Sequence, residues 1–295
     1  MSDFADRVDV DGVPLALQVR GEGTPVILLH TGFVADGLLP LFEAPELDGF
    51  RLIAFHRRGY GDSGGRGPGA PVSMTRHAAD VTAILDRLGV RRAHLVGHSF
   101  GANVALEAAR TAPDRVGALV LMEPLLGFVL APATADYVSA AAAVAVPRFA
   151  AGDHAGALDA WLLGAFGAGY RDVLDRALPG SWEQAVTDAP TAFGSEMPTL
   201  QAWPFGPSDL ARIQAPTLSV VNSGTYWSGF RETHDALLSG IPGAEGAVVP
   251  APGHLLQIAD PRPVAEVVAG FLRGHPLPNS PAVSDAGTTG RQRAR

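Results

Sequence analysis

The pentapeptide Gly97-His98-Ser99-Phe100-Gly101 constrains this chain more than any other stretch. It follows the apolar run Leu95-Val96 and precedes ANVALEAAR, which is rich in helix formers, so a strand must hand over to a helix across one sharp turn. Such a turn crowds the backbone. Small residues two before and two after its centre relieve the crowding, and Gly97 and Gly101 supply both. The turn lifts the Ser99 hydroxyl above the sheet edge, with a helix N-terminus behind it that favours developing negative charge. Ser99 is therefore the candidate nucleophile, placed at the carboxyl edge of a parallel sheet.

Other runs of strand type, bounded by Gly, Pro or Asp, occur at 25–30, 51–55, 93–96, 118–122, 217–221 and 246–249. Helical periodicity lies between several of them: Val81, Ile84, Leu85 and Leu88 share one face, as do Val264, Val267, Val268 and Phe271. The alternation predicts an α/β fold with a doubly wound, mostly parallel sheet. It lapses after Met122 and resumes near Pro216, which predicts an inserted helical cap over 125–205 between two core segments, 1–124 and 206–275. Trp161, Phe166, Tyr170, Trp182, Phe193 and Trp203 fall in the insert, where they either line an apolar cavity or pack a core. From Pro276 to Arg295 large apolar residues are scarce and turn formers abundant, so a disordered tail is expected there.

Composition narrows the chemistry. With 47% apolar and 18% charged residues, 295 residues can bury a full core. A formal net charge of -8 speaks against a nucleic-acid partner, whose phosphates need clustered Lys and Arg. The absence of cysteine removes thiolate nucleophiles, disulfides and Cys-ligated metals, leaving serine, carboxylate and histidine. The acidic start MSDFADRVDVDGV lacks the pattern of an export signal, and apolar stretches such as 139–146 are far short of the ~20 residues that span a bilayer, so a cytoplasmic protein off the membrane is expected. No G-x-G-x-x-G or G-x-x-x-x-G-K-[ST] follows the first strands, which excludes the common nucleotide-binding loops.

A serine nucleophile needs a base. His254, in the loop Pro250-Ala251-Pro252-Gly253-His254 after the last strand run, would lie at the carboxyl edge of the sheet beside the turn at Ser99. His94 and His98 flank the Ser99 strand less favourably, and His30 is expected to shape backbone at another strand end. Donors for an oxyanion are expected from the Phe100 N–H and from the turn His30-Thr31-Gly32-Phe33, with Gly32 the first choice and Phe33 the alternative.

VILLHTGF, FHRRGYGDSG, LVGHSFGANVAL and APGHLLQIADP together resemble the α/β-hydrolase fold family, over nearly the whole chain to Arg273. Two departures stand out. Phe55 occupies the position of the usual Asp in the second piece, and Thr31 interrupts the usual His-Gly-X turn. The resemblance implies a nucleophile–acid–base order along the chain, with the acid after the strand at 217–221 in most relatives. Here that loop, Asn222 to Gly229, holds no carboxylate. Glu123, after the strand at 118–122, is the carboxylate at a strand end. In this the chain is similar to zearalenone-opening lactone hydrolases and to some haloalkane dehalogenases. Glu232 and Asp235 sit in what reads as helix interior.

The expected function is cofactor-free, metal-free hydrolysis of a small apolar carboxylic ester or lactone by Ser99, Glu123 and His254 through an acyl-enzyme. Cleavage of C–C or amide bonds and perhydrolysis would use the same residues, and a non-catalytic ligand receptor is the reading from another class. Dehalogenases and epoxide hydrolases of this fold carry an Asp nucleophile where this chain has Ser99. The substrate and the oligomeric state are not legible from the sequence.

Overall fold

A computed structural model describes residues 4, 6–65, 71–224, 229–251 and 253–278. Eight strands form one sheet: β1 Asp6–Val10, β2 Val13–Arg20, β3 Thr24–Leu29, β4 Phe50–Phe55, β5 Ala93–His98, β6 Val116–Met122, β7 Thr217–Asn222 and β8 Glu245–Val249, in the order β1-β2-β4-β3-β5-β6-β7-β8. The first two pairings, β1 with β2 and β2 with β4, are antiparallel, and every later pairing is parallel. The six runs read from the sequence are β3 to β8. The antiparallel β1–β2 hairpin was not among them, although Asp11-Gly12 announces it: both residues take positive φ (51° and 77°), as a two-residue hairpin turn requires.

The centre of the sheet is covered on both faces, which is why β5, β6 and β7 are buried at every residue and read as unbroken apolar runs. Ile27, Leu95 and Leu121 turn to one face and meet Ile84, Val104 and Ala105 of helices Met74–Arg87 and Phe100–Thr111. Val26, Val96 and Val120 turn to the other and meet Val264, Val268 and Leu272 of helix Pro261–Gly274. These helices start where their caps dictate. Ser73 Oγ accepts from the Arg76 N–H at 3.1 Å, and Asp260 caps a helix that opens on Pro261.

Between β6 and β7 the chain is helical: Pro132–Ala150, His154–Phe166, Tyr170–Ala177, Ser181–Thr191, a π-turn over Ala192–Glu196, Met197–Ala202 and Pro207–Leu210. A third apolar cluster holds this insert together and joins it to the sheet, with Leu158, Leu162, Trp182 and Phe193 packed alongside Val34, Tyr60 and Ile258. Polar bonds fix its register. Asp188 accepts from the Gly61 N–H at 2.9 Å, and the Thr191 hydroxyl donates to Gly59 O at 2.8 Å. A side chain at Gly59 would run into Thr191, so this close approach needs a glycine. Among the described residues no helix is long and apolar enough to cross a membrane. Residues 276–278 are described, and Leu277 lies close to Gly117; the rest of the segment expected to be a disordered tail falls outside the described residues.

Candidate active site

Ser99 sits at the junction of β5 and helix Phe100–Thr111 with φ 54° and ψ −121°. The two glycines are needed there. A Cβ on Gly97 would come within 2.5 Å of Gly101 O, and one on Gly101 would collide with Leu29 O of the neighbouring strand. Among the described residues four non-glycines have positive φ, and three of them, Phe33, Ser99 and Glu123, line one cavity or bond to His254, which lines it. Strain of this kind persists only where the surroundings over-determine the backbone.

Glu123 follows β6 directly, with φ 45° and 1% exposure. Its Oε2 lies 2.6 Å from Nδ1 of His254. Its Oε1 accepts two bonds from Asn222, the backbone N–H at 2.8 Å and the side-chain amide at 2.5 Å. Burial pushes the Glu123 carboxyl up to about 7, against the Asn222 donors that favour its charge, and pushes the His254 imidazole down to about 3. The imidazole is therefore neutral at pH 7, with Nδ1–H directed at Glu123 and Nε2 left as the basic nitrogen. Phe230 stacks on this ring at 4.0 Å and 10°, and Phe166 closes on it at 5.4 Å, so the ring plane is fixed by packing as well.

Ser99 and His254 line the same cavity of about 100 Å³; no hydrogen bond joins their side chains among the described residues. Such contacts are often long before substrate binds. Trp161, Leu162, Phe166, Leu200 and Phe230 give the cavity apolar walls. Of the six insert aromatics, Trp161 and Phe166 face it, Tyr170, Trp182 and Phe193 belong to the insert core, and Trp203 donates to Glu107 at 3.0 Å.

Gly32, Phe33 and Phe100 also line the cavity. The Phe33 N–H donates to the Tyr60 hydroxyl at 3.3 Å. Within the described residues no protein acceptor takes the Gly32 N–H, and Phe100, as the first residue of its helix, has none within the helix. Among the described residues, then, the Gly32 N–H has no protein acceptor while the Phe33 N–H is engaged by Tyr60.

His98, Glu123 and His254 bring ligand-type atoms within 4.8 Å of one another, a spacing that could hold a cation. Both Glu123 oxygens are already engaged, however, and the three side chains are at most 3% exposed. His98 packs its ring 4.6 Å from that of His254 and is bonded through Nδ1 to Gln257 at 3.1 Å. His94 lies buried in β5, and His30 accepts from the Arg57 N–H at 3.0 Å, organising backbone. Glu232 accepts from Ala131 N and Thr134 Oγ1 at the start of helix Pro132–Ala150, and Asp235 is exposed. Of the loop after β7, residues 225–228 fall outside the described residues.

Sequence reasoning missed one element. Glu196 of the insert lines the cavity at 3% exposure; it accepts from the Tyr60 hydroxyl at 2.6 Å and pairs with Arg57. It is the lone carboxylate between Asp188 and Asp209, set in the apolar stretch TAFGSEMPTL, and that isolation was the available signal.

A family described as alpha/beta hydrolase fold matches residues 25–166. The chain is similar to the solved structure titled Est816 as an N-acyl homoserine lactone degrading enzyme, with 28% identity, a TM-score of 0.70, and coverage of 90% of this chain and 100% of that one. It is 34% identical over 118 residues to the dihydrolipoyllysine-residue acetyltransferase component of the acetoin cleaving system of Cupriavidus necator, covering 40% of this chain and 31% of that protein. It is 35% identical over 118 residues to epoxide hydrolase A of Mycobacterium tuberculosis, covering 39% and 37%. The matched stretch spans well under half the length of these two relatives.

Proposed function

Because this chain belongs to the α/β-hydrolase fold family, we propose that it is a serine hydrolase that opens a small apolar carboxylic ester or lactone through an acyl-enzyme. Ser99 is the nucleophile, His254 the base, Glu123 the acid, and the N–H groups of Gly32 and Phe100 hold the oxyanion. One observation carries the reading: a serine on a strained strand-to-helix turn shares a cavity with a histidine whose far nitrogen is held by a buried, multiply bonded carboxylate.

In the first step Ser99 Oγ attacks the carbonyl carbon and its proton passes to His254 Nε2. The imidazolium that forms is stabilised by Glu123, and the carbonyl oxygen, now an alkoxide, is held by the Phe100 N–H at the head of its helix and by the Gly32 N–H in the turn after β3. Collapse of this intermediate breaks the acyl–oxygen bond, and Nε2–H protonates the leaving alkoxide. Water then attacks the acyl-enzyme with His254 again as base and releases the acid. With a lactone the leaving hydroxyl stays on the acyl chain, and the product is a hydroxy acid. The apolar walls and the modest cavity favour an uncharged acyl group. The epoxide hydrolase among the relatives does not carry over as an activity, because this chain has Ser99, not a carboxylate, at the turn. The insert, 125–205, is read as a cap over a core of 1–124 and 206–275.

A fluorophosphonate probe should label the protein, and the label should vanish in Ser99→Ala. A screen of p-nitrophenyl esters and small lactones should show turnover that depends on Ser99. A protein that neither labels nor turns over any of them would instead be a receptor of this fold.

A further inference from the structure

Gly32 has no side chain with which to fix itself, yet an oxyanion donor must point at one spot before the reaction begins. Its neighbours are held instead. On one side the Arg57 guanidinium donates to Thr31 O at 3.1 Å, while the Arg57 backbone N–H donates to His30 Nε2 at 3.0 Å. On the other side the Tyr60 hydroxyl accepts from the Phe33 N–H at 3.3 Å, and Phe33 is kept at φ 70°. Arg57 also lies over the Phe100 ring at 4.7 Å, beside the second donor.

Arg57 and Tyr60 meet at one group, the carboxylate of Glu196. Oε1 takes the Arg57 guanidinium, and Oε2 takes the Tyr60 hydroxyl at 2.6 Å. Oε2 also lies 3.2 Å from where a Cβ of Gly32 would stand. All of these side chains are nine-tenths or more buried. Burial lowers the Arg57 pKa only to about 10, so the guanidinium is charged at neutral pH and needs its partner. Glu196 ends the π-turn Ala192–Glu196, a helix irregularity that tends to occur at functional positions, and it is carried by the insert rather than by the sheet. A purely structural ion pair would not need to line the cavity, and Glu196 does.

We propose that Glu196 is a positioning residue that, through Arg57 and Tyr60, sets the oxyanion turn His30–Phe33, so that the oxyanion hole is complete only while the helical insert is seated. The inference rests on the serine-hydrolase reading above. It gives the insert a part in rate as well as in substrate choice.

The test compares wild type with Tyr60→Phe and Glu196→Gln, using p-nitrophenyl acetate for turnover and an alkyl trifluoromethyl ketone as a probe whose tetrahedral adduct carries an oxyanion. Losing one oxyanion donor outright lowers kcat about 10²–10³-fold, so misplacing one should lower it on the order of tenfold. Both variants should show that fall in kcat with KM nearly unchanged, and the ketone should bind weaker by a similar factor. Tyr60→Phe removes a single hydroxyl and decides the matter if Glu196→Gln fails to fold. Unchanged kcat and ketone affinity in folded Tyr60→Phe would overturn the proposal, as would a rise in KM alone, which would make Glu196 a substrate contact. Equal turnover by wild type and Ser99→Ala would overturn the serine reading itself, and this inference with it.

Discussion

The ends of β6 and β7 lie side by side, with Met122 registered against Val220, and each brings one polar side chain to the edge where Ser99 emerges. Glu123 leaves β6 with a left-handed backbone and offers a carboxylate; Asn222 ends β7 without such strain and offers two N–H donors to that carboxylate. One neighbourhood thus holds an acceptor and the donors that satisfy it. A carboxylate this deeply buried is costly unless its lone pairs are filled, and Asn222 fills those of Oε1 while His254 takes Oε2. The lesson is that the two strand ends work as one unit, with the negative charge on β6 and its support on β7.

The largest effect is expected at Ser99, which follows the neighbouring strand β5. Ser99→Ala should lower kcat by on the order of 10⁴-fold or more while leaving the thermal transition in place; substantial residual turnover would make the strand ends irrelevant to catalysis. Next comes the acid. Glu123→Gln keeps the shape and removes the charge, and should cost roughly 10²–10⁴ in turnover because the imidazolium then lacks its stabiliser. If Asn222→Ala proved the more damaging of the two, the roles assigned to the strand ends would be reversed.

A third test uses pH. The base must be neutral and the acid ionised, so kcat/KM should rise with pH as the Glu123–His254 pair loses its proton. Burial moves the two groups in opposite directions, His254 down to about 3 and Glu123 up to about 7, and the apparent midpoint of the limb should fall between these values. A midpoint above 7 would show that the imidazole is not held neutral by burial. Asn222→Ala should have a smaller effect, on the order of tenfold in kcat, because the backbone N–H to Oε1 survives the substitution. The smallest effect is a control far from both strand ends: a chain ending after Pro278, which keeps Leu277 near Gly117, should match the full chain in kcat and Tm. A fall of several degrees would mean that the removed segment docks on the domain.

Much of this was legible in the residues. The strands β3 to β7 show as apolar runs because they are buried on both faces, and the largely exposed edge strand β8 still shows through Ala247, Val248 and Val249, whereas the β1–β2 hairpin, half exposed, left only Asp11-Gly12 as its signal. Ser99 and His254 could be picked out because a tight turn and a strand-end loop leave local signatures. Glu123 could be picked out because the loop after β7 offers no carboxylate.

The glycine pair around Ser99 and the alternation of strand and helix determined by themselves that a serine would sit on a sharp turn at the end of a strand in a mostly parallel sheet, since steric crowding and hydrophobic periodicity act between near neighbours in the chain. Only the tertiary structure decided that Asn222 would complete the solvation of Glu123, that Phe230 would stack on His254, that Tyr60 would engage the Phe33 N–H, and that Glu196 would reach Arg57 and Tyr60. Each of these depends on residues brought together from distant parts of the chain, and Glu196 and Arg57 are 139 positions apart. Hydrogen bonds and ring contacts act over a few ångströms, so only the completed packing of insert on sheet can bring such groups within reach.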